Sequence, residues 1–282
     1  MTSSSLPDRL AALSRQWRVT VVRSFDTPSS SIGVGWRGGE PVVLKIVKRA
    51  GDEWRAGEAT RAFGGRGMVR VLDATDGAVL LERLEPATPL VEVVRHGDDD
   101  RATGILCDVI AALSPDPASR EWPTARDWSR GFDRHVVGRD QQLPRELVAL
   151  GQHTYLDLCE SQQHARLLHG DLQHYNVLYD RSRGWTAIDP KGVVGELEYE
   201  LGAALRNPTE RLDLIASPSN IERRVTTFAS RLSVNAERVL RWALAQAVLS
   251  AIWSVEDGER VGPETPALRL ATTLRAMLGN AA

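Results

Sequence analysis

The chain has 282 residues, 42% of them hydrophobic and 26% charged, which fits a folded globular protein and not a disordered one. At roughly 150 residues per domain, this length allows one large domain or two unequal ones. Lys and Arg total 35 against 37 Asp and Glu, a formal charge of −2 that excludes a broadly basic nucleic-acid-binding surface. No segment approaches the roughly 20 apolar residues of a membrane span, and Met1 to Leu13 lacks the apolar core of a signal segment. The expectation is a cytoplasmic chain with no membrane partner, with monomer and dimer both open. Cys107 and Cys159 lie in apolar, helical-looking stretches without metal-ligand spacing and read as reduced core thiols.

Leu6, Leu10, Leu13 and Trp17 recur at helical spacing behind Ser5, a candidate N-cap, so an amphipathic helix opens the chain. The period then changes to that of strands: Val19 to Phe25, Ser31 to Trp36 and Pro41 to Val47, the last two joined by the turn Arg37 to Glu40. A charged helix follows over Asp52 to Phe63, stopped by Gly64 and Gly65, and then two more strands, Met68 to Asp73 and Ala78 to Arg83. After Pro86 the pattern is mainly helical, over Thr88 to His96, Asp100 to Leu113, Thr124 to Val137 and Arg145 to His164. One interruption, Val177 to Tyr179 and Trp185 to Ile188 around Asp180 to Gly184, reads as a tight hairpin. A long helix over Glu237 to Trp253 places Val239, Trp242, Leu249 and Trp253 in the core rather than against a cofactor.

The most specific feature is the run His169-Gly-Asp-Leu-Gln-His-Tyr-Asn176, followed after the hairpin by Ile188-Asp189-Pro190. Transfer of a γ-phosphoryl group needs an aligned acceptor, a group to receive its proton and oxygen ligands for Mg²⁺. Asp171 suits the base or acceptor-orienting role, and Asn176 and Asp189, flanking the hairpin, suit the metal because Mg²⁺ prefers hard oxygens. His169 reads as an organiser of this loop. The chain has only three lysines, Lys45, Lys48 and Lys191, among many arginines. Strand alternation sets Lys45 beside Val43 and Val47 and opposite Leu44 and Ile46, where a compact ammonium suits nucleotide phosphates. Lys191 reads either as a phosphate contact or as the partner of a nearby glutamate.

These loops resemble the catalytic and metal-binding loops of the protein-kinase-like superfamily in their His-Gly-Asp form. More narrowly, His169 to Asn176, Asp189 to Glu196, Gly65 to Leu72 and Leu80 to Leu84 are similar to the aminoglycoside phosphotransferase family, and within it to the streptomycin-type aminoglycoside/hydroxyurea resistance kinases. The resemblance covers most of the chain. It implies a two-lobed α+β fold: a five-stranded antiparallel N-lobe over residues 1–84 that binds nucleotide, and a mainly helical C-lobe over residues 85–282 with the acceptor site. It also implies ATP as donor, with GTP not excluded, Mg²⁺ as cofactor, and a hydroxylated small-molecule acceptor such as an aminoglycoside. Lys45 then takes the place of the third-strand lysine, with Glu53 as its partner and Glu58 as the alternative. Adenine is expected along Glu82-Arg83-Leu84, mainly through backbone groups. Metabolic kinases for sugars, amino alcohols or fructosamines use a similar constellation, and a non-catalytic nucleotide-binding module would retain much of it.

Gly33-Val-Gly-Trp-Arg-Gly38 spells GxGxxG but is followed by a turn and a strand rather than a helix, and it lies too close to Lys45 for a kinase glycine loop. The better phosphate-covering candidate is Asp26 to Ser31, with Ser30 and Ser31 supplying hydroxyls; a solvated turn is the bland alternative. His169, Asp171 and His174 also raise the reading of a metal-dependent hydrolase, for which His96, His135, His153 and His164 lack paired spacing. For a cationic acceptor the candidates are two acidic clusters, Glu196, Glu198 and Glu200 after the metal loop and Glu256, Asp257 and Glu259 after the last long helix, with Asp127 a weaker one.

Overall fold

The computed structural model describes residues 6–113, 122–138 and 141–279. Helix α1 (Leu6–Gln16) leads into strands β1 (Thr20–Asp26), β2 (Ser30–Arg37) and β3 (Glu40–Val47). Ser5, the candidate N-cap, lies outside the described residues. A 3-10 turn (Asp52–Arg55), helix α2 (Ala56–Ala62) and strands β4 (Val71–Thr75) and β5 (Ala78–Glu82) complete the first part. The five strands form one antiparallel sheet in the order β1-β2-β3-β5-β4.

Alternation divides this sheet into two faces with different tasks. Ser31 stands opposite Ile46 and Gly33 opposite Leu44, on the face where Val42, Leu44, Ile46, Ala78 and Leu80 meet Leu13 and Trp17 of the opening helical segment. Ile32 stands opposite Lys45 and Val34 opposite Val43, on the face turned toward the rest of the molecule. The single helix expected over Asp52 to Phe63 is instead split, because the carbonyl of Trp54 accepts from Gly77 N–H at 2.9 Å and is lost to a continuing α-helix. Likewise Met68 and Val69, expected in β4, leave the sheet: Val69 N–H donates to Ala187 O at 2.9 Å and Ala187 N–H to Gly67 O at 2.8 Å, stitching the sheet lobe to the later hairpin.

The larger part contains β6 (Pro86–Pro89), α3 (Val91–Arg95), α4 (Asp99–Ala112), α5 (Ala125–Trp128), α6 (Arg130–Gly138), α7 (Arg145–Glu160), β7 (Arg166–Leu168), β8 (Val177–Asp180), β9 (Gly184–Ala187), β10 (Val193–Gly195), α8 (Leu197–Leu205), α9 (Leu212–Ile215), α10 (Pro218–Leu232), α11 (Ala236–Glu256) and α12 (Pro266–Gly279). The expected hairpin is β8–β9, joined by β6 as a third strand. The helix expected from Thr88 begins only at Val91, since Pro86 and Pro89 favour extended backbone and Thr88 pairs with Tyr179. The helix expected over Thr124 to Val137 is broken at Ser129. Asp127 closes a capping box with Thr124 at the start of α5, so this acceptor candidate has a structural task.

Helix α11 is the axis of the C-lobe, packed against α7, α8 and α12. Trp242 at its centre is fully buried, edge-on to Tyr155 and Tyr199 at 5.1 and 5.0 Å. Its indole N–H donates to Glu196. Among the described residues no helix is long and apolar enough to cross a membrane. Replacing Trp242 by Ala removes a fully packed ring and its hydrogen bond, so Trp242→Ala is expected to lower unfolding free energy by about 3–5 kcal/mol, read from the shift in urea midpoint.

Candidate active site

The loop before β8 is fixed by hydrogen bonds that leave Asp171 facing a crevice. His169 is fully buried; its Nε2–H donates to Ile188 O at 2.8 Å and its Nδ1 accepts from Asp171 N–H at 3.3 Å. Burial pushes its pKa down to about 4, so the ring is neutral and acts as a brace. Gly170 has φ +83°, and a Cβ there would meet Val193 at 2.8 Å, so only glycine fits. Its N–H donates to Glu200 at 3.0 Å, as does that of Leu172 at 3.3 Å. Glu200 is buried in α8, and burial raises its pKa to about 7 against the pull of these N–H donors. Placed in an acceptor cluster by sequence, Glu200 instead positions the loop; its helical spacing gave no sign of this.

Asn176 closes the loop. Its Nδ2–H donates to the Asp171 carbonyl at 2.8 Å and to Asp171 Oδ2 at 3.1 Å, while its own carbonyl accepts from Ile188 N–H at 2.9 Å. Burial raises the Asp171 pKa, opposed by Arg206 and Lys191. Asp189 follows with φ +61°, a left-handed conformation, and its carboxylate accepts from Lys45 of β3.

Across the crevice Lys45 pairs with Glu53 at 3.1 Å and with Asp189. Lys191 takes the other oxygen of Glu53 at 2.6 Å. Glu58, the alternative partner, is occupied by Arg55 at 2.5 Å. Ser30 lies on the Lys45 face with its hydroxyl 3.5 Å from Glu53. Ser31 is a correction: as a residue of β2 it alternates to the face covered by α1 and cannot cover phosphates there. The turn residues that do border the crevice are Thr27, Pro28 and Ser29.

Two cavities meet at Asp171. One, of about 1340 Å³ between the lobes, has an apolar wall including Val43, Val79, Leu81, Leu84, Leu178 and Ile188, with Lys45, Asn176 and Asp189 at its polar end. Glu82 also borders it, its carboxylate held by Arg70 and Arg183. The other, of about 440 Å³, is lined by Trp128, Lys191, Arg206, Trp253, Glu256 and Asp257. Trp253, expected in the core, is only half buried and forms part of this wall. Glu196 and Glu198 are corrections: Glu196 is buried on Arg238 at 2.5 Å and on Trp242, and Glu198 accepts from Asn235 N–H at 3.2 Å, both away from Asp171.

A family model described as the aminoglycoside/hydroxyurea antibiotic resistance kinases matches residues 16–258. The chain belongs to this family. Over 86% of its length, this kinase is 32% identical to the streptomycin 3''-kinase of Klebsiella pneumoniae, covering 91% of that protein. With the hydroxyurea phosphotransferase of Kitasatospora aureofaciens it shares 30% identity over 92% of its own length and 76% of the relative's. Its fold matches that of aminoglycoside phosphotransferase APH(4)-Ia, solved as a ternary complex with ADP and hygromycin B, with a TM-score of 0.67 at 17% identity over 96% and 98% of the two chains. The two-lobed, protein-kinase-like architecture follows.

The kinase site leaves the hydrolase reading no ligand set: His169 engages backbone at both ring nitrogens, and no group of three His, Cys, Asp or Glu suited to a metal occurs among the described residues. Glu53 carries the clearest pH signature. Burial would raise its pKa, but the Lys45 and Lys191 ammonium groups overcome this and hold it at about 2, below its ordinary 4.5. Its contribution to stability is therefore full above pH 4.5 and is lost as pH falls toward 2, amounting to roughly 3 kcal/mol at neutral pH. The stability deficit of Glu53→Gln in urea unfolding should be large at pH 7 and should shrink between pH 4.5 and pH 2.5; a deficit independent of pH would remove this assignment.

Proposed function

We propose that this kinase transfers the γ-phosphoryl group of ATP to a hydroxyl of a small, cationic, oxygen-rich acceptor of the aminoglycoside class, with streptomycin the first candidate. The observation that supports this best is the place of Asp171 at the border of two cavities, with Oδ2 held by Asn176 and the carboxylate otherwise open to the smaller one. The nucleotide occupies the interlobe cavity, its base against the apolar wall near Leu84 and its phosphates toward Lys45. The lobes divide at Leu84, and the reaction belongs in the cytoplasm, where ATP is available.

In the reaction Asp171 orients the acceptor hydroxyl and receives its proton as the oxygen forms a bond to the γ-phosphorus. The bond from that phosphorus to the bridging oxygen breaks, and ADP leaves with the electron pair. The donor set suits Mg²⁺. Asn176 directs its amide nitrogen at Asp171, which leaves the amide oxygen for a cation, and Lys45 engages only one oxygen of Asp189. When bound, Mg²⁺ supplies charge neutralisation on the β- and γ-phosphate oxygens. In the acceptor cavity Glu256 is neutralised by Arg134 at 2.8 and 3.0 Å, whereas Asp257 has no charged partner among the described residues. Asp257 and the edge-to-face pair Trp128 and Trp253, with centroids 5.9 Å apart, suit an ammonium or guanidinium group.

The direct test is acceptor-dependent ADP release with streptomycin, offering ATP and GTP as donors, and mass spectrometry of the product. Release without a phosphorylated acceptor would refute the reading. Asp171→Asn should lower turnover by roughly 10²–10⁴-fold, the usual loss for a general base. Asp189→Ala should raise the apparent Kd for Mg²⁺-ATP in calorimetry, and unchanged affinity would remove Asp189 from the metal site.

A further inference from the structure

We infer that Arg206 recognises a second oxygen of the acceptor, on the atom next to the one that carries the reacting hydroxyl, and so restricts this kinase to acceptors with adjacent oxygen functions. The inference rests on the phosphotransfer reading above. Arg206 follows the last residue of α8, its N–H bonded to Gly202 O at 3.2 Å, and its side chain is only 15% exposed. Its guanidinium makes no hydrogen bond to any described residue. The carboxylate nearest to it is Asp171, with Nη2 4.0 Å from Oδ1. With no protein partner for its N–H donors, the guanidinium presents them to the cavity it lines, where a bound molecule can accept them.

Bracing the fold does not explain it. Arg224 already performs that task at the same helix end, bonding Asn207 O at 2.9 Å and Ala204 O at 3.3 Å and clasping Asp99. Nucleotide binding does not explain it either, because Arg206 borders the cavity of Trp128 and Trp253 and is absent from the interlobe wall.

The position of Asp171 then fixes what Arg206 can reach. Asn176 occupies Oδ2, so the acceptor hydroxyl donates to Oδ1, the oxygen that Arg206 faces. With that hydroxyl at ~2.7 Å from Oδ1, a neighbouring hydroxyl, ether or carbonyl oxygen comes within reach of the guanidinium fork. Such an oxygen accepts hydrogen bonds and so complements a group that only donates. A lone hydroxyl on an alkyl chain offers Arg206 no second acceptor.

The test compares acceptors with and without the adjacent oxygen. Wild type, Arg206→Met and Arg206→Lys are assayed for kcat/KM by ADP release with streptomycin, hygromycin B and hydroxyurea, and with choline as the isolated-hydroxyl probe. Wild type should favour at least one of the first three over choline by roughly 10²-fold or more, the scale of discrimination by a hydrogen-bonding site. In Arg206→Met that ratio should collapse to within a few-fold of one, chiefly through acceptor KM, and Arg206→Lys should restore part of it. A wild-type preference for choline, or a ratio preserved while all acceptors fall together in Arg206→Met, overturns the inference and leaves phosphotransfer standing. Turnover of hydroxyurea but of neither aminoglycoside, with the ratio collapsing in Arg206→Met, sinks the aminoglycoside reading and sustains the inference. Transfer to none of the four overturns both.

Discussion

A chain of opposite charges across the cleft fixes where everything else must lie. Lys45 engages Glu53 from the 3-10 turn and Asp189 from the end of the hairpin, and Lys191 takes the remaining oxygen of Glu53. Such half-buried pairs recover their desolvation cost only where both sides are held rigidly. Lys45 is held because β3 is the central strand of five, and Asp189 because β8 and β9 are pinned by β6 on one side and by the Gly67 to Val69 stitch on the other. In the structure the lysines and carboxylates neutralise each other. In the proposed reaction the same groups separate, Lys45 toward phosphate oxygens and Asp189 toward a cation, so these contacts mark the proposed place of the donor's charges.

The loop that carries Asp171 solves a different problem, that of keeping a carboxylate in a mostly enclosed place with no cation in hydrogen-bond contact with it. Burial raises the Asp171 pKa, in keeping with the proposed role as a base, while Arg206 and Lys191 oppose the rise without a hydrogen bond to it. Its orientation comes from neutral or backbone partners: the Asn176 amide, the Nδ1 of a neutral His169, and Gly170 and Leu172 N–H groups anchored on Glu200.

The sequence showed most of this skeleton. The five strands, the hairpin and the polar residues at its ends were legible because period-2 alternation and a dense polar run are local signals. Lys45 was legible because alternation alone opposed it to Leu44 and Ile46, as the register with Ile32 and Val79 has it. What was not legible depended on contacts between distant segments. The helix after Gly51 is interrupted by Gly77, which lies far along the chain. Glu196, Glu198 and Glu200 form one acidic cluster in the sequence, yet α8 sends Glu200 under the catalytic loop, and Glu196 and Glu198 toward Arg238 and Asn235. Ser30 and Ser31 are neighbours on opposite faces of one strand. Arg206, one of many arginines, carried no local mark.

The smaller cavity, proposed as the acceptor site, has a polarity that bears on how a substrate would lie in it. Arg206 and Lys191, largely buried, line it with Asp171, whereas Asp257 is exposed at its rim and the Trp128 and Trp253 rings form an aromatic wall. Exposed charges act weakly beyond roughly 8 Å at physiological salt, so the outer carboxylate selects by contact more than by long-range attraction. A cationic acceptor entering with its positive group first would meet Arg206 and Lys191 near the reacting position. Entering with its oxygen-bearing edge first, it leaves the cation against Asp257 and the aromatic wall. The polarity therefore favours one of the two orientations of a molecule that is cationic at one end and hydroxylated at the other, and that orientation presents a hydroxyl to Asp171.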